Sequence, residues 1–227
     1  MDKVNLKIDW ATHKAAKYAC ENWHYSGTVP ASRSAYIGAW ENGNFIGVII
    51  FSLGASPSLG NPYGLKMTEC CELTRVALRQ HQSEVTKMIA VGIIMLKKAN
   101  PKSRLIVSFA DTFHGHHGGI YQGGNWIYSG DTDISKMYKL PNGQLVDPRR
   151  YNGHGHNKKQ PIPMGAILIN TTPKHRYLMP LDKKMRKQIL PLSKPYPKRP
   201  KQAMDSTTVT AAGQNRPGRS SNTKDKK

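Results

Sequence analysis

TECCELTRVALR (residues 68–79), SEVTKMIAVGIIMLKKANP (83–101) and SRLIVSFAD (103–111) follow one another with almost no intervening chain. The first alternates polar and apolar residues as a half-buried strand does. In the second, Val85, Met88, Ile89, Gly92, Ile93 and Leu96 keep the i, i+3, i+4, i+7 spacing of an amphipathic helix. Ser83 is its expected N-cap, Lys97 and Lys98 complement its C-terminal dipole, and Asn100-Pro101 stops it. The third stretch is a compact apolar run that ends on an aspartate. Strand, helix and strand in this order make a parallel βαβ unit with a right-handed crossover, which places the chain in the α/β class.

Upstream, IDWATHKAAKYACENWHYSG (8–27) reads as a helix with Thr12 as its N-cap and Ala15, Ala16, Ala19 and Trp23 near helical spacing. SAYIGAW and FIGVIIFSLG are two strands joined by ENGN (41–44), whose Asn-Gly pair suits the positive φ of a tight hairpin. Cys70 and Cys71, adjacent on a strand, point to opposite faces. With Cys20 they are read as small buried hydrophobes, neither a disulfide framework nor a zinc pair.

Downstream comes HHGGIYQGGNWIYSG (116–130), with four glycines where a core has no use for them, since each costs backbone entropy on ordering. Something is expected to approach the backbone closely there. GNWIYSG and MGAILINTT read as further strands, and residues 131–163 as a long functional or ordering loop. From Pro191 large apolar residues nearly vanish, so residues 1–190 form one expected domain and 191–227 a disordered basic tail.

The formal net charge is +20 over 227 residues. Residues 172–227 hold fifteen Lys or Arg against three Asp, +12 of that total, and the remainder still carries +8. An excess that persists outside the tail points to a polyanionic partner, with nucleic acid the expected one. The segments KHRYL, DKKMRKQ and KPYPKRPK offer sequence-independent phosphate contacts. No run reaches the roughly 18–20 apolar residues of a membrane span, and MDKVNLKIDW lacks a signal-peptide layout, so a cytoplasmic protein with no membrane partner is expected. The oligomeric state stays open, a homodimer included.

Several residue types carry chemistry. His24 and Tyr25 sit in a loop after the first helix, where they either build a site or simply cap the helix and cover the core. Asp111 ends a strand and Tyr121 lies across a glycine turn from it, so both are placed toward the carboxyl edge of the sheet, where open α/β sheets bind ligands. Their plainer roles are a turn cap and a core tyrosine. Arg75 offers a fork of donors for phosphate or carboxylate. His114, His116 and His117, and separately His154 and His156, are either metal ligands or solvated loop histidines. Trp23, Tyr25, Trp40 and Trp126 are either core aromatics or, where a nucleobase is the ligand, candidates to stack on it.

The order of elements, with ELTRVALRQ and IYQGGNW, resembles the GNAT acyltransferases. The resemblance implies a mixed, centrally parallel twisted sheet flanked by helices. It implies acetyl-CoA as cofactor, held along Val76 and Ala77 with Arg79, Ser83 and Lys87 at the diphosphate, and Tyr121 as the residue that serves the leaving thiolate. RQHQSEVTK departs from the pattern, for it stands where that fold has its glycine-rich diphosphate loop. Within the fold, WHYSG, ELTRVA, SFADTFHGHHGGIYQ and NWIYSG, over about residues 10–130, resemble the phage Mom-type DNA modification proteins. These convert adenine in DNA to a carbamoylmethyl adenine and protect phage DNA from restriction. That resemblance implies an active site of His24, Tyr25, Arg75, Asp111 and Tyr121. It also implies iron or another transition metal on His24, Tyr25 and Asp111, because the methylene linkage is not made by ordinary acetyl transfer. The rival expectations are a conventional acetyl-CoA-dependent N-acetyltransferase acting on a protein or small amine, and a non-catalytic DNA-binding protein.

Overall fold

The computed structural model describes residues 4–152 and 160–199. The expected histidines His154 and His156, and residues 200–227 of the basic tail, lie outside them. In chain order the elements are β1 (Leu6–Trp10), α1 (His13–Trp23), β2 (Ser34–Glu41), β3 (Asn44–Ser52), β4 (Cys70–Leu78), α2 (Val85–Ala99), β5 (Leu105–Asp111) and α3 (Gly119–Gly123). There follow β6 (Ile127–Asp131), β7 (Lys136–Lys139), β8 (Leu145–Val146), α4 (Arg149–Asn152), β9 (Ile167–Asn170), β10 (Lys174–Pro180) and α5 (Lys183–Ile189). Seven strands form one mixed sheet in the order β1-β2-β3-β4-β5-β10-β6, and β8-β7-β9 form a small second sheet. The sheet is flanked by helices, as the α/β expectation required.

The local signals hold where the expected elements meet. The β2–β3 hairpin turns through Asn42 (φ 47°) and Gly43 (φ 80°), the positive-φ pair its sequence demands. Thr12 caps α1 by accepting from the Ala15 amide at 3.2 Å. α1 lays Ala16, Ala19 and Cys20 against Val48, Ile50 and Ala77 on one face of the sheet. α2 lays Met88, Ile89 and Leu96 on the other, among Ile37, Phe51, Leu73 and Ile106. Cys71 joins the α2 face and Cys70 the opposite one, both free and buried.

Four expectations are corrected. The helix of residues 8–27 is shorter, because Leu6–Trp10 pair antiparallel with β2 as an edge strand. Ser83 does not cap α2; Glu84 stands at the N-cap, without a side-chain cap bond. The described part of residues 131–163 contains β7, β8 and α4, so it is not a continuous loop. The ordered chain also passes the boundary at 190. The Lys194 amide donates to the Tyr128 carbonyl at 2.8 Å and the Tyr196 hydroxyl to the Trp126 carbonyl at 2.6 Å, which fastens the segment along β6.

KHRYLMP, read only as a basic segment, is β10, inserted between β5 and β6 and antiparallel to both. Its successor α5 is anchored at its first turn. Asp182 accepts from the Met185 amide at 2.7 Å and from Arg104 Nε at 2.9 Å. Met185 and Ile189 then bury against Leu105, Val107 and Leu178. Asp182→Ala is therefore expected to lower stability by about 1–2 kcal/mol in a denaturant titration, the ordinary cost of losing such a cap.

Candidate active site

The site begins with a split in the sheet. β4 and β5 run parallel, yet only Cys70–Glu72 pair with Leu105–Val107. Past Glu72 a bulge in β4, where its register against β3 shifts between Ile50 and Phe51, swings the strand away from β5. Ser108 spans the start of the gap, donating to the Leu73 carbonyl at 2.7 Å. Among the described residues the β4 edge that faces β5 from Leu73 to Leu78 has no strand partner, which is a place for an extended amide-bearing chain to pair.

On the α1 face of that split, three distant segments meet at one carboxylate. Asp111 Oδ2 accepts from Lys174 Nζ at 3.2 Å and from the Tyr25 hydroxyl at 3.4 Å, and lies 3.3 Å from His114 Nδ1. Its Oδ1 accepts from the Phe113 amide at 3.2 Å and so caps the turn that follows β5. Lys174 reaches it because β10 sets Lys174 directly opposite Asp111. Burial acts to raise the Asp111 carboxyl, but the Lys174 charge and hydrogen bond, and then His114, outweigh it and hold the group below the usual carboxylate range.

Tyr25 is the exposed member, 41% accessible. Its ring is flanked by His24, His114 and His116 at centroid distances of 4.4, 4.2 and 5.4 Å. Burial of the phenol, and then the nearby Asp111 charge, pushes its pKa up to about 12, so it stays a proton donor. Burial, followed by the Arg75 charge, pushes His24 down to about 3, so its ring is neutral. The Ser26 amide donates to His24 Nδ1 at 3.1 Å, which leaves the ring proton on Nε2. Arg75 stands on the same face, where its Nη1 donates to the Thr74 carbonyl at 2.8 Å and its buried Nε has no partner.

The expected set thus divides. His24, Tyr25, Arg75 and Asp111 share the α1 face. Tyr121 approaches from the other side: alternation along β5 puts Val107, Phe109 and Asp111 on one side and Ile106, Ser108 and Ala110 on the other, and the Tyr121 ring packs on the second. Its ring is buried against Trp126 and Tyr177, and its hydroxyl is hydrogen-bonded to Ser108 at 2.8 Å. Burial pushes the phenol up to about 12. From the α2 face its hydroxyl reaches the start of the split through Ser108, and it lies near enough to bear on the Tyr25 phenol. Of the four stacking candidates only Tyr25 is exposed at the cluster; Trp126 is core, and Trp23 and Trp40 pack on Phe45.

The residues expected to hold a cofactor are partly committed elsewhere. Val76 and Ala77 pair with Ile49 and Val48 of β3, so only their side toward β5 is open. Arg79 and Lys87 are exposed. The Ser83 amide donates to the Glu41 carboxylate at 2.6 Å, and the Gln82 amide to the same group at 3.0 Å. The turn that should receive a diphosphate therefore already holds an anion, and coenzyme A does not fit there as the chain stands. Of the expected metal set, the Tyr25 hydroxyl and Asp111 Oδ2 stand 3.4 Å apart and the His24 ring lies beside Tyr25, with His24 Nδ1 taken by the Ser26 amide and Asp111 Oδ2 by Lys174. Among the described residues no group of three His, Cys, Asp or Glu side chains is placed to hold a metal ion.

Two participants escaped the sequence. Lys174 showed only as a cation in KHRYL, since its register against Asp111 depends on a strand order that no local pattern reveals. Glu72 lay within ELTRVA without a role. Its burial raises its carboxyl against the pull of Arg75 and Lys174, which makes it the second carboxylate near the split.

Solved structures similar to the chain include an acetyltransferase of Bacillus subtilis in complex with CoA, at 13% identity and TM-score 0.44 over 79% of this chain and 100% of that one. Another is a GNAT family acetyltransferase from Elizabethkingia anophelis with acetyl-CoA bound, at 16% identity and TM-score 0.39 over 78% and 99%. Among curated proteins none matches. The profile of the Mom protein family matches residues 5–198, a span that includes both sides of the split and every residue of the Asp111 cluster; the chain belongs to the Mom protein family.

Proposed function

We propose that this protein modifies adenine in double-stranded DNA, attaching a carbamoylmethyl group to the exocyclic amine, and so shields phage DNA in the host cytoplasm from restriction. Family membership supports this reading, and the observation that carries it is the Asp111 cluster: an ionised carboxylate beside an exposed aromatic ring on a basic face. A conventional N-acetyltransferase has less support, because the turn for its usual donor is filled.

The residues suit the acceptor. The adenine amine is paired inside the duplex, so the base must leave the stack, and an exposed tyrosine with flanking imidazoles offers it a surface. Asp111, kept ionised by Lys174, accepts the hydrogen bond of the amine in place of the long Tyr25 contact and orients its nitrogen toward the split. α5 exposes Lys183, Lys184, Arg186 and Lys187, and it packs on the same side of the sheet as Val107 and Phe109. Such cations bind the phosphate backbone without reading sequence, with affinity that falls steeply as salt rises. No helix among the described residues is long and apolar enough to cross a membrane.

The test is mass spectrometry of nucleosides from DNA co-expressed with the protein. A deoxyadenosine heavier by one carbamoylmethyl group is the expected result. Unmodified DNA in cells that contain soluble protein rejects the proposal.

A further inference from the structure

The turn before α2 is closed by the protein's own chain. Glu41, the last residue of β2, extends its carboxylate across to residues 82 and 83, where Oε1 accepts from the Gln82 amide at 3.0 Å and the Ser83 amide at 2.6 Å and Oε2 accepts from the Gln82 amide at 3.2 Å. Two backbone N–H groups pointing at one anion before a 15-residue helix make up the arrangement that elsewhere binds phosphate. Here the anion is internal. Burial works to raise the Glu41 carboxyl, but its bonds to Ser83 and Gln82, with the charge of His81, outweigh this and keep it ionised at neutral pH.

Two further observations point the same way. Glu84 occupies the N-cap with no side-chain cap bond, and so places a second carboxylate beside the turn. The segment RQHQSEVTK contains no glycine, and no residue in it has positive φ, so the backbone does not form a cradle of amides open to a large anion. A diphosphate entering this turn would have to displace Glu41 and then sit against two like charges. By contrast, the β4 edge toward β5 is open.

We infer that Glu41 is the resident anion of this turn and that the protein does not hold the diphosphate of coenzyme A at α2. The inference concerns the donor alone and stands or falls apart from the identity of the acceptor.

Calorimetric titration of the full chain with inorganic pyrophosphate, at one fixed ionic strength, provides the test. Glu41→Gln keeps an acceptor for the turn amides but removes the charge. It is expected to bind pyrophosphate about tenfold tighter than the wild type, a change of about 1.4 kcal/mol. Equal measurable affinities, or tighter binding by the wild type, overturn the inference; where neither protein binds, the amide resonances of the wild type decide. Should the variant not fold, the wild type decides the matter through its backbone amide resonances. Those of Gln82 and Ser83 are expected to stay unmoved on addition of CoA, and their displacement by CoA overturns the inference. Nucleoside mass spectrometry reads the acceptor separately, so loss of either conclusion leaves the other in place.

Discussion

Asp111→Asn is expected to reduce adenine modification by about 100-fold or more, while the protein remains folded. The substitution preserves size and keeps Oδ1 as the acceptor for the Phe113 amide, so the turn after β5 is retained. What it removes is the charge. The amide presents donors where the carboxylate accepted from Tyr25 and faced Lys174, so an incoming amine meets an N–H instead of an acceptor. The Lys174 side chain, 42% accessible, is left facing water, and the stability change should stay within about 1 kcal/mol. Lys174→Met should lower modification in the same direction, because burial then raises the Asp111 carboxyl unopposed by its main cation. The readout is the fraction of modified deoxyadenosine at matched soluble protein. Modification by Asp111→Asn at the wild-type level would remove the cluster from the mechanism.

Gly118→Ala is expected to cost about 3 kcal/mol of stability, and Gly115→Ala only about 1 kcal/mol, although both glycines lie in the same loop with positive φ. At Gly118 (φ 82°) an added Cβ would lie 2.3 Å from Tyr177 Cε2 and 2.4 Å from its hydroxyl. That ring has no room to retreat. Tyr177 is fully buried, its hydroxyl donates to the His117 carbonyl at 2.9 Å, and it accepts from Gln122 Nε2 at 3.0 Å. Gly115 (φ 77°) has nothing within 4 Å of the added atom, so only the backbone strain is felt. In thermal melts the first variant should unfold roughly 6–12 °C below the wild type and the second roughly 2–4 °C below it. Equal shifts would mean that the close approach to Tyr177 is relieved by motion of the loop. Gly118 in HHGGIYQ thus serves core packing of α3 against Tyr177, and no ligand is required to explain it.

The Asp111 cluster was legible in pieces. His24, Tyr25 and Asp111 stand out as chemical types at element ends, and their meeting follows from α1 and β5 each delivering its terminus to the same end of the sheet. Tyr121 shows the limit. Ten residues after Asp111 it has every local qualification, but it stands on α3, and the packing of that helix decided that its ring meets the sheet from the face opposite Asp111. Glu41 shows a second limit, since nothing in ENGN beyond the turn itself points to an anion forty residues away from the amides it binds.

By itself the amino-acid sequence determined what short-range forces control: the Asn42-Gly43 turn, the Thr12 cap, the apolar stripe of α2, and the strand-helix-strand unit from Cys70 to Asp111. The tertiary structure alone decided the insertion of β10 between β5 and β6, the register that sets Lys174 opposite Asp111, and the splitting of β4 from β5. The physical reason is that propensities, caps and periodicity act over a few residues. Strand order and facing are settled by the burial of whole elements against one another, where a shift of one residue exchanges the two faces of the sheet.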